Sequence, residues 1–199
     1  MNPIVREVIA DAPSSILSRR LLSIDTETTG LDFRNDRIGV IQVYDGEVVW
    51  VVRPPFNCTN VRKALEDSGS IKIFHNAIFD LRFLMRDFFA KPRSIQCTKV
   101  AAKILLDSGS ATSLKELVNR FFGVVLDKSP RLSDWEASRL NKEQLTYAAK
   151  DACYLPKLME IMLRDAKSPD RVELVRRSFD FLPTRAELDL LEIGDVFKY

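Results

Sequence analysis

Residues 21–31 read LLSIDTETTGL, an apolar run that ends in two acids, Asp25 and Glu27, before a break at Gly30. The apolar residues ahead of Asp25 predict a buried strand. Side chains two apart on a strand share a face, so both carboxylates lie on the same side of the predicted sheet. Two like charges beside a core repel each other unless a cation lies between them, which indicates a metal site. The alternative is that Asp25 caps a turn and Glu27 is solvated.

Further strands and helices are predicted on the C-terminal side of this stretch. Asp45-Gly46 is a tight-hairpin dipeptide between two apolar runs, so the first three strands are predicted to be antiparallel. We expect about five strands, over 21–25, 38–44, 48–52, 71–74 and from Ile95 onward. Apolar spacing and capping residues predict helices over 61–67, 79–89, 99–106 and 113–122, a long helix capped by Asn141 and kinked at Pro156, and another from Pro169.

The length and composition limit the number of domains and the net electrostatic field of the molecule. At 199 residues and 46% hydrophobic, the chain is long enough for one domain with a real core and short for two. A formal charge of +2, from 30 basic and 28 acidic residues, gives no global attraction for nucleic acid. Any phosphate binding must therefore come from local clusters.

The cysteines argue against a disulfide framework and against a zinc site. Cys58, Cys97 and Cys153 are odd in number, far apart and without a C-x-x-C pair. A reducing cytoplasm fits this pattern. No stretch of the chain approaches the length and apolarity of a membrane span, so we expect no membrane association.

Two later acids extend the candidate metal site. Asp80 follows the predicted strand 71–74 and falls early in a helix, while Tyr147 and Asp151 stand one helical turn apart on one face. Taken alone, Asp80 is explained by the helix macrodipole and the Tyr/Asp pair by an exposed surface. Together with Asp25 and Glu27, however, three separated sources of hard oxygen ligands indicate two Mg²⁺ or Mn²⁺ ions and chemistry on phosphate esters.

The order of these residues resembles the DEDD superfamily of 3′–5′ exonucleases, tyrosine subtype. Motif one is SIDTETTGL at 23–31, motif two FHNAIFDL at 74–81 and motif three YAAKDA at 147–152. The segment SDW at 133–135, followed by LNKEQLTY at 140–147, is most similar to ribonuclease D. A histidine in motif three is excluded, because the single histidine, His75, lies in motif two. The resemblance implies an α/β fold of the ribonuclease H-like (DnaQ-like exonuclease) type, with a mixed sheet flanked by helices.

The C-terminal residues are similar to the ending of the compact nanoRNase C group. This likeness rests on FLPTRAELDLL at 181–191, and the chain departs from the group at Glu192-Ile193, where Gly-Trp is expected. We expect one exonuclease domain over 1–199, with 179–199 a docked tail and no helicase-and-RNase-D C-terminal domain. The tail is a candidate for a homo-oligomer contact that brings Arg185 to a neighbouring active site; intramolecular docking is the alternative.

The resemblance also implies roles for the site residues. Asp25, Glu27 and Asp151 would hold one divalent cation, Asp25 and Asp80 the second, directly or through water, and Tyr147 would orient the attacking water. For Leu31 a plain core leucine, and for His75 a structural residue, are the competing interpretations. Further candidates for phosphate contacts are Arg82, Arg86 and Arg131. The implied substrate contacts are Thr28, Leu31, His75, Asn76, Lys128 and Arg185.

The function expected from the sequence is a metal-dependent 3′–5′ exoribonuclease that releases nucleoside 5′-monophosphates from short or single-stranded RNA in the cytoplasm. A proofreading-type DNA exonuclease would carry the same acids. An inactive RNA-binding scaffold that kept the fold is an alternative from another class, although such modules usually lose an acid and here every acid is present.

Overall fold

The computed structural model describes residues 3–127 and 133–198, which form a mixed six-stranded sheet with helices packed against it. The strand order is β1-β4-β3-β2-β5-β6. This arrangement confirms the predicted mixed α/β sheet. The strands are β1 (Ile4–Ile9), β2 (Leu21–Thr28), β3 (Ile38–Tyr44), β4 (Val48–Arg53), β5 (Ile71–Phe74) and β6 (Ile95–Cys97).

The predicted antiparallel unit of three strands is confirmed. β2 pairs with β3 and β3 with β4, both antiparallel. Gly46 takes a positive φ of 99° in the connecting turn, a conformation that glycine adopts without strain. The Asp45 carboxylate accepts hydrogen bonds from the Val48 N–H at 2.8 Å and the Trp50 ring N–H at 3.0 Å, which fixes the turn.

The prediction of about five strands missed β1, which runs parallel to β4 at one edge of the sheet. On this strand Val5 and Val8 are partly buried, while Ile4 and Ile9 are exposed. The two inward valines are three residues apart and do not follow the two-residue period of a strand. An edge strand packs only part of its surface, so its sequence carried no strand signal.

The predicted helix bounds agree with the structure to within about two residues, apart from one break. No helix was predicted for residues 182–190, which form α8 within the stretch expected only to be a docked tail. Ser113 caps α4 and Asn141 forms a capping box with Gln144 at α5, as their positions in the sequence indicate. The bounds are α1 Thr59–Glu66, α2 Ala77–Phe88, α3 Thr98–Leu105, α4 Leu114–Phe122, α5 Lys142–Cys153, α6 Leu155–Arg164, α7 Pro169–Asp180 and α8 Leu182–Leu190, with a 3₁₀ helix at Ser14–Ser18.

The kink predicted at Pro156 is wrong in form. The structure instead ends α5 at Cys153 and starts a new helix, α6, at Leu155. Pro156 lies in the first turn of α6, where its missing N–H costs no intrahelical hydrogen bond. Asp151 therefore lies in the last turn of α5.

The C-terminal helices pack onto the domain. α7 contacts α3, and α8 contacts α2, the helix that carries Asp80. Phe179, Leu182 and Ala186 are buried in the common core. Beyond α8 the apolar side chains are exposed: Leu191, Ile193, Val196 and Phe197.

Cys58, Cys97 and Cys153 are free and buried. Across residues 3–127 and 133–198, no helix is long and apolar enough to cross a membrane.

α5 is the element that completes the site, because it lies across β2, β3 and β4. The Ser23 hydroxyl donates to the Ala152 carbonyl at 2.7 Å and ties the helix to β2. Gly39 on β3 makes room for the segment ahead of α5, since a Cβ added there would lie 2.6 Å from the Trp135 Cβ. Motif one and motif three are thereby held face to face.

Candidate active site

Three acids from β2 and α5 converge at the end of the sheet. One carboxylate oxygen from each of Asp25, Glu27 and Asp151 lies within 4.8 Å of the others. Glu27 is buried, while Asp25 and Asp151 are partly exposed. The two-residue spacing on β2 thus does put both of its carboxylates on one face, toward α5.

Asp80 enters from the first turn of α2 and is held against β2. Its Oδ1 accepts hydrogen bonds from the Thr26 N–H at 3.0 Å and from the Thr26 hydroxyl at 2.7 Å. The residue is buried, with 2% of its surface exposed. Asp80 is therefore fixed beside the three-acid cluster, and Thr26 is a supporting residue that the sequence analysis did not single out.

The electrostatics of the four acids favour a bound cation. Burial is the main cause that raises the pKa of Asp25 well above its usual range, and the charges of Asp80, Glu27 and Asp151 raise it further. Burial also raises the pKa of Asp80 to about 7, against the hydrogen bonds from Thr26. An oxygen-only donor set with this excess of negative charge suits a hard divalent cation. The residues present therefore fit the metal that the sequence indicated.

Tyr147 adds a phenol to the acid cluster. It is buried, one turn before Asp151, and hydrogen-bonds to the Asp151 side chain. Its ring centroid lies 6.0 Å from that of Trp135. Burial, followed by the charges of Asp151 and Glu27, raises the pKa of Tyr147 above its ordinary value. The phenol thus stays protonated and is a hydrogen-bond donor rather than a base.

A cleft of about 820 Å³ opens over these residues and contains four of the six predicted substrate contacts: Thr28, Leu31, His75 and Asn76. Leu31 is 70% exposed, so the interpretation as a core leucine is wrong. His75 Nδ1 lies 2.9 Å from the Thr98 hydroxyl, which holds the ring at the cleft wall. The structural interpretation of His75 and its position at the cleft are both consistent with this contact.

Of the other predicted contacts, Arg86 and Arg185 do not line the cleft. Lys128 and Arg131 lie outside the residues that the structure describes. Arg185 does not line the cleft and pairs with Asp189 of its own helix at 2.5 Å. The prediction for Arg86 is wrong, because its guanidinium donates to the carbonyl oxygens of Phe33 and Asp36.

Among the residues that the structure describes, three cationic side chains line the cleft. Arg82 was a candidate from the sequence, whereas Lys99 and Lys115 were missed. The Lys99 amine donates to the Asn76 side-chain oxygen at 3.4 Å. Lys99 follows β6 at the start of α3, at the same sheet edge as Asp80, so its position after a predicted strand was the available signal.

Comparisons with known proteins agree with this geometry. A family model described as 3′-5′ exonuclease matches residues 6–167. Ribonuclease D of Haemophilus influenzae is 30% identical over 192 residues, which cover 89% of this chain and 47% of that protein. DNA polymerase I of Aquifex aeolicus is 32% identical over 186 residues, 89% of this chain and 31% of that protein. The chain thus spans less than half the length of these two curated relatives.

Structures of Brucella melitensis NrnC are similar to this chain over nearly its whole length. Its structure bound to pGG superposes with a TM-score of 0.91 at 33% identity and covers 99% of both chains. A second structure of that protein, with bound Mg²⁺, gives a TM-score of 0.90 at 32% identity and covers 98% of this chain and 99% of that one. The ribonuclease H-like fold and the likeness to the compact nanoRNase C group are confirmed. The chain belongs to the DEDD family of 3′–5′ exonucleases, within its ribonuclease D-like and NrnC group.

Proposed function

We propose that the protein is a divalent-cation-dependent 3′–5′ exoribonuclease that releases nucleoside 5′-monophosphates from short or single-stranded RNA. The convergence of Asp25, Glu27 and Asp151 within 4.8 Å carries this proposal. The name of the Haemophilus relative supports RNA as the substrate, and pGG in the Brucella structure supports a very short one.

We assign Asp25, Glu27 and Asp151 to one cation, and Asp25 with Asp80 to a second, Mg²⁺ or Mn²⁺ in each case. Bound cations of this kind supply an activated water and stabilise the attacking and leaving oxygens of an in-line displacement. The Mg²⁺ in the Brucella structure supports the choice of a divalent cation. We infer two ions rather than one because Asp80 adds a fourth carboxylate near Asp25, outside the group of three acids.

The side chains of the cleft supply orientation and charge. The protonated Tyr147 hydroxyl holds the attacking water by a hydrogen bond, beside the Asp151 carboxylate. Leu31 and Thr28 contact the terminal nucleotide on one wall, and His75 and Asn76 on the other. We further propose that Arg82, Lys99 and Lys115 contact the substrate phosphates, together with the predicted contact Lys128, which predicts salt-sensitive binding.

The same proposal covers the organisation of the chain. Residues 1–199 would act as one exonuclease unit, with 179–199 as its docked tail. Exposed apolar residues beyond α8 would form a contact between subunits and carry Arg185 to the neighbouring cleft. The free, buried cysteines are consistent with the cytoplasm as the site of action.

The experiment compares the purified protein with Asp25→Ala, using 5′-labelled RNA of two to about 20 nucleotides and Mg²⁺ or Mn²⁺. We expect loss of at least about 10³-fold in rate for the variant, because a ligand assigned to both cations is removed. Degradation at the wild-type rate would show that the assigned site is wrong. A protein that binds RNA without cleaving it under these conditions would be a scaffold.

DNA is the second candidate substrate, because the Aquifex relative is a DNA polymerase. The same assay with DNA of matched sequence and length separates the two. Preferred cleavage of RNA is the expected result; equal or faster cleavage of DNA would favour the proofreading type. Accumulation of dinucleotides would indicate ribonuclease D behaviour, and their rapid loss a nanoRNase.

A further inference from the structure

Gln42 on β3 is buried, and its side-chain amide makes no hydrogen bond to the described residues. None of its surface is exposed. Among residues 3–127 and 133–198, four buried side-chain nitrogen or oxygen atoms lack a hydrogen-bond partner, and two of them are the amide nitrogen and oxygen of Gln42. An unpaired buried polar group is destabilising, so a residue that leaves both ends of its amide unpaired calls for a functional explanation.

The sheet register places Gln42 next to the acid cluster. Gln42 is the direct cross-strand neighbour of Asp25, while Val51 flanks it on the other side. Side chains at directly opposed positions of antiparallel strands share a face, with Cβ atoms about 4.5–5.5 Å apart. The bond from Ser23, two residues before Asp25, to Ala152 shows that this face looks toward α5. The amide therefore lies under α5, on the same face as Asp25.

The side chains that surround Asp25 in the acid cluster are negatively charged. Asp25 has three acidic neighbours, Glu27, Asp80 and Asp151, whose negative charges oppose its own. Carboxylates that bind a cation are in turn oriented by hydrogen bonds from outer groups. An amide N–H beside Asp25 is a neutral donor that supplies such a bond without adding to the charge.

We propose that Gln42 is a positioning residue whose side-chain N–H donates to the Asp25 carboxylate, directly or through one ordered water, when a cation is bound. This inference rests on the proposed function of the four acids. The bond fixes one carboxylate oxygen of Asp25 and directs the other toward the cation. Since its amide makes no other hydrogen bond in the described part of the chain, Gln42 turns toward Asp25 without breaking one.

The test measures Mn²⁺ binding by titration calorimetry in the absence of RNA, on the full chain. The variant is Gln42→Met, which keeps the length of the side chain and removes the donor. We expect Mn²⁺ affinity to fall about 10–100-fold, the usual effect of removing an outer-shell partner. The melting temperature without cation should stay equal or rise, because an unpaired polar group has been replaced by an apolar one.

Val51→Ala is the matched control, since it perturbs the packing on the other side of Gln42 and carries no donor. We expect a lower melting temperature and wild-type Mn²⁺ affinity. Wild-type affinity in Gln42→Met, or an equal loss in Val51→Ala, would overturn the positioning role. Gln42→Leu replaces Gln42→Met should the latter fail to fold.

A second control separates this inference from the proposed function. Asp25→Asn should lose most Mn²⁺ binding. If Asp25→Asn binds Mn²⁺ as the wild type does, the cation site itself is misplaced and the proposed function fails. If Asp25→Asn loses Mn²⁺ while Gln42→Met keeps it, the site stands and only the role of Gln42 is rejected.

Discussion

The Asp80 carboxylate is held in place by a neighbouring residue of β2. Two hydrogen bonds from Thr26 fix it against β2, yet burial still raises its pKa to about 7. The folded, cation-free protein therefore binds a proton at Asp80 that the unfolded chain releases near its usual pKa of 3.8. The neighbouring Asp25 shifts in the same direction.

These shifts predict how stability depends on pH. Because the pKa of Asp80 is higher in the folded state than in the unfolded chain, its protonation stabilises the fold. This contribution is fully present below about pH 4 and is lost as the pH rises through about 7. The slope is on the order of 1 kcal/mol per pH unit for each proton. Thermal unfolding without cation, at several pH values in this window, should show a wild-type melting temperature that falls relative to that of Asp80→Asn.

Added Mg²⁺ should reverse this trend, since it binds the ionised carboxylates and the folded state alone. Asp80→Asn should flatten the slope measured without cation. A difference in melting temperature between the wild type and Asp80→Asn that does not change with pH across this window would contradict the assignment.

We assign to Tyr147 the role of orienting the attacking water, not of removing a proton from it. Because its pKa is raised, it cannot take a proton from water at neutral pH. Tyr147→Phe should keep Mn²⁺ affinity near wild type and lose about 10²-fold in kcat, a typical loss for one positioned polar group at a reacting centre. Calorimetry and single-turnover cleavage of labelled RNA measure the two effects. An unchanged kcat would remove Tyr147 from the mechanism.

The pairing of α8 with α2 connects the C-terminal residues to the cleft. Asp189 on α8 pairs with Arg185 at 2.5 Å and lies 3.6 Å from Arg82, which lines the cleft. The Arg82 guanidinium also lies over the Phe33 ring, 4.8 Å from its centre. Asp189 therefore helps to set the direction of Arg82.

Asp189→Asn should raise KM for RNA about five-fold with little change in kcat, because about 1 kcal/mol of orientation is lost at one phosphate contact. Steady-state cleavage assays at two salt concentrations check this. Glu187→Gln on the exposed face of the same helix is the control and should behave as wild type. An effect of equal size in the control would mean that net charge, rather than the Arg82 contact, is responsible.

Elements with strong local signals were predictable, and those without them were not. The hairpin at Asp45-Gly46 and the caps at Ser113 and Asn141 are set by short-range chemistry, so the sequence located them. The edge strand β1 depends on pairing with β4, some 44 residues later in register, and its own residues carry no strand period. The break between α5 and α6, just ahead of Pro156, depends on how α6 packs, which a proline alone does not specify.

At the level of the whole molecule, the site acids were predictable because their order along the chain resembles a known family. Their supporting contacts were not: Thr26 under Asp80 and Gln42 beside Asp25 follow from strand register and helix placement. Arg86 shows the opposite error, since a charge at a suitable position is used to hold a loop. Partner choice between residues of distant segments is a tertiary property.

The exposed C-terminal apolar residues predict association of whole molecules. Leu191, Ile193 and Phe197 are each more than half exposed. Light scattering at micromolar concentration should give a mass that is a multiple of 22.7 kDa. Ile193→Asp should lower that mass, whereas Leu174→Asp, at an exposed apolar residue of α7, should not. A monomer mass for the wild-type protein would exclude the oligomer.

Gly39 lies behind the active site, on β3, and lines no part of the cleft. Because Gly39 has no side chain, Trp135 fits closely against β3 at this position. Trp135 in turn packs against Tyr147. One added methyl group would meet the Cβ and the backbone of Trp135, so the residue that packs against the phenol would have to move. Gly39 therefore constrains the active site through the packing of Trp135 against Tyr147, although it lines no part of the cleft and has no side chain.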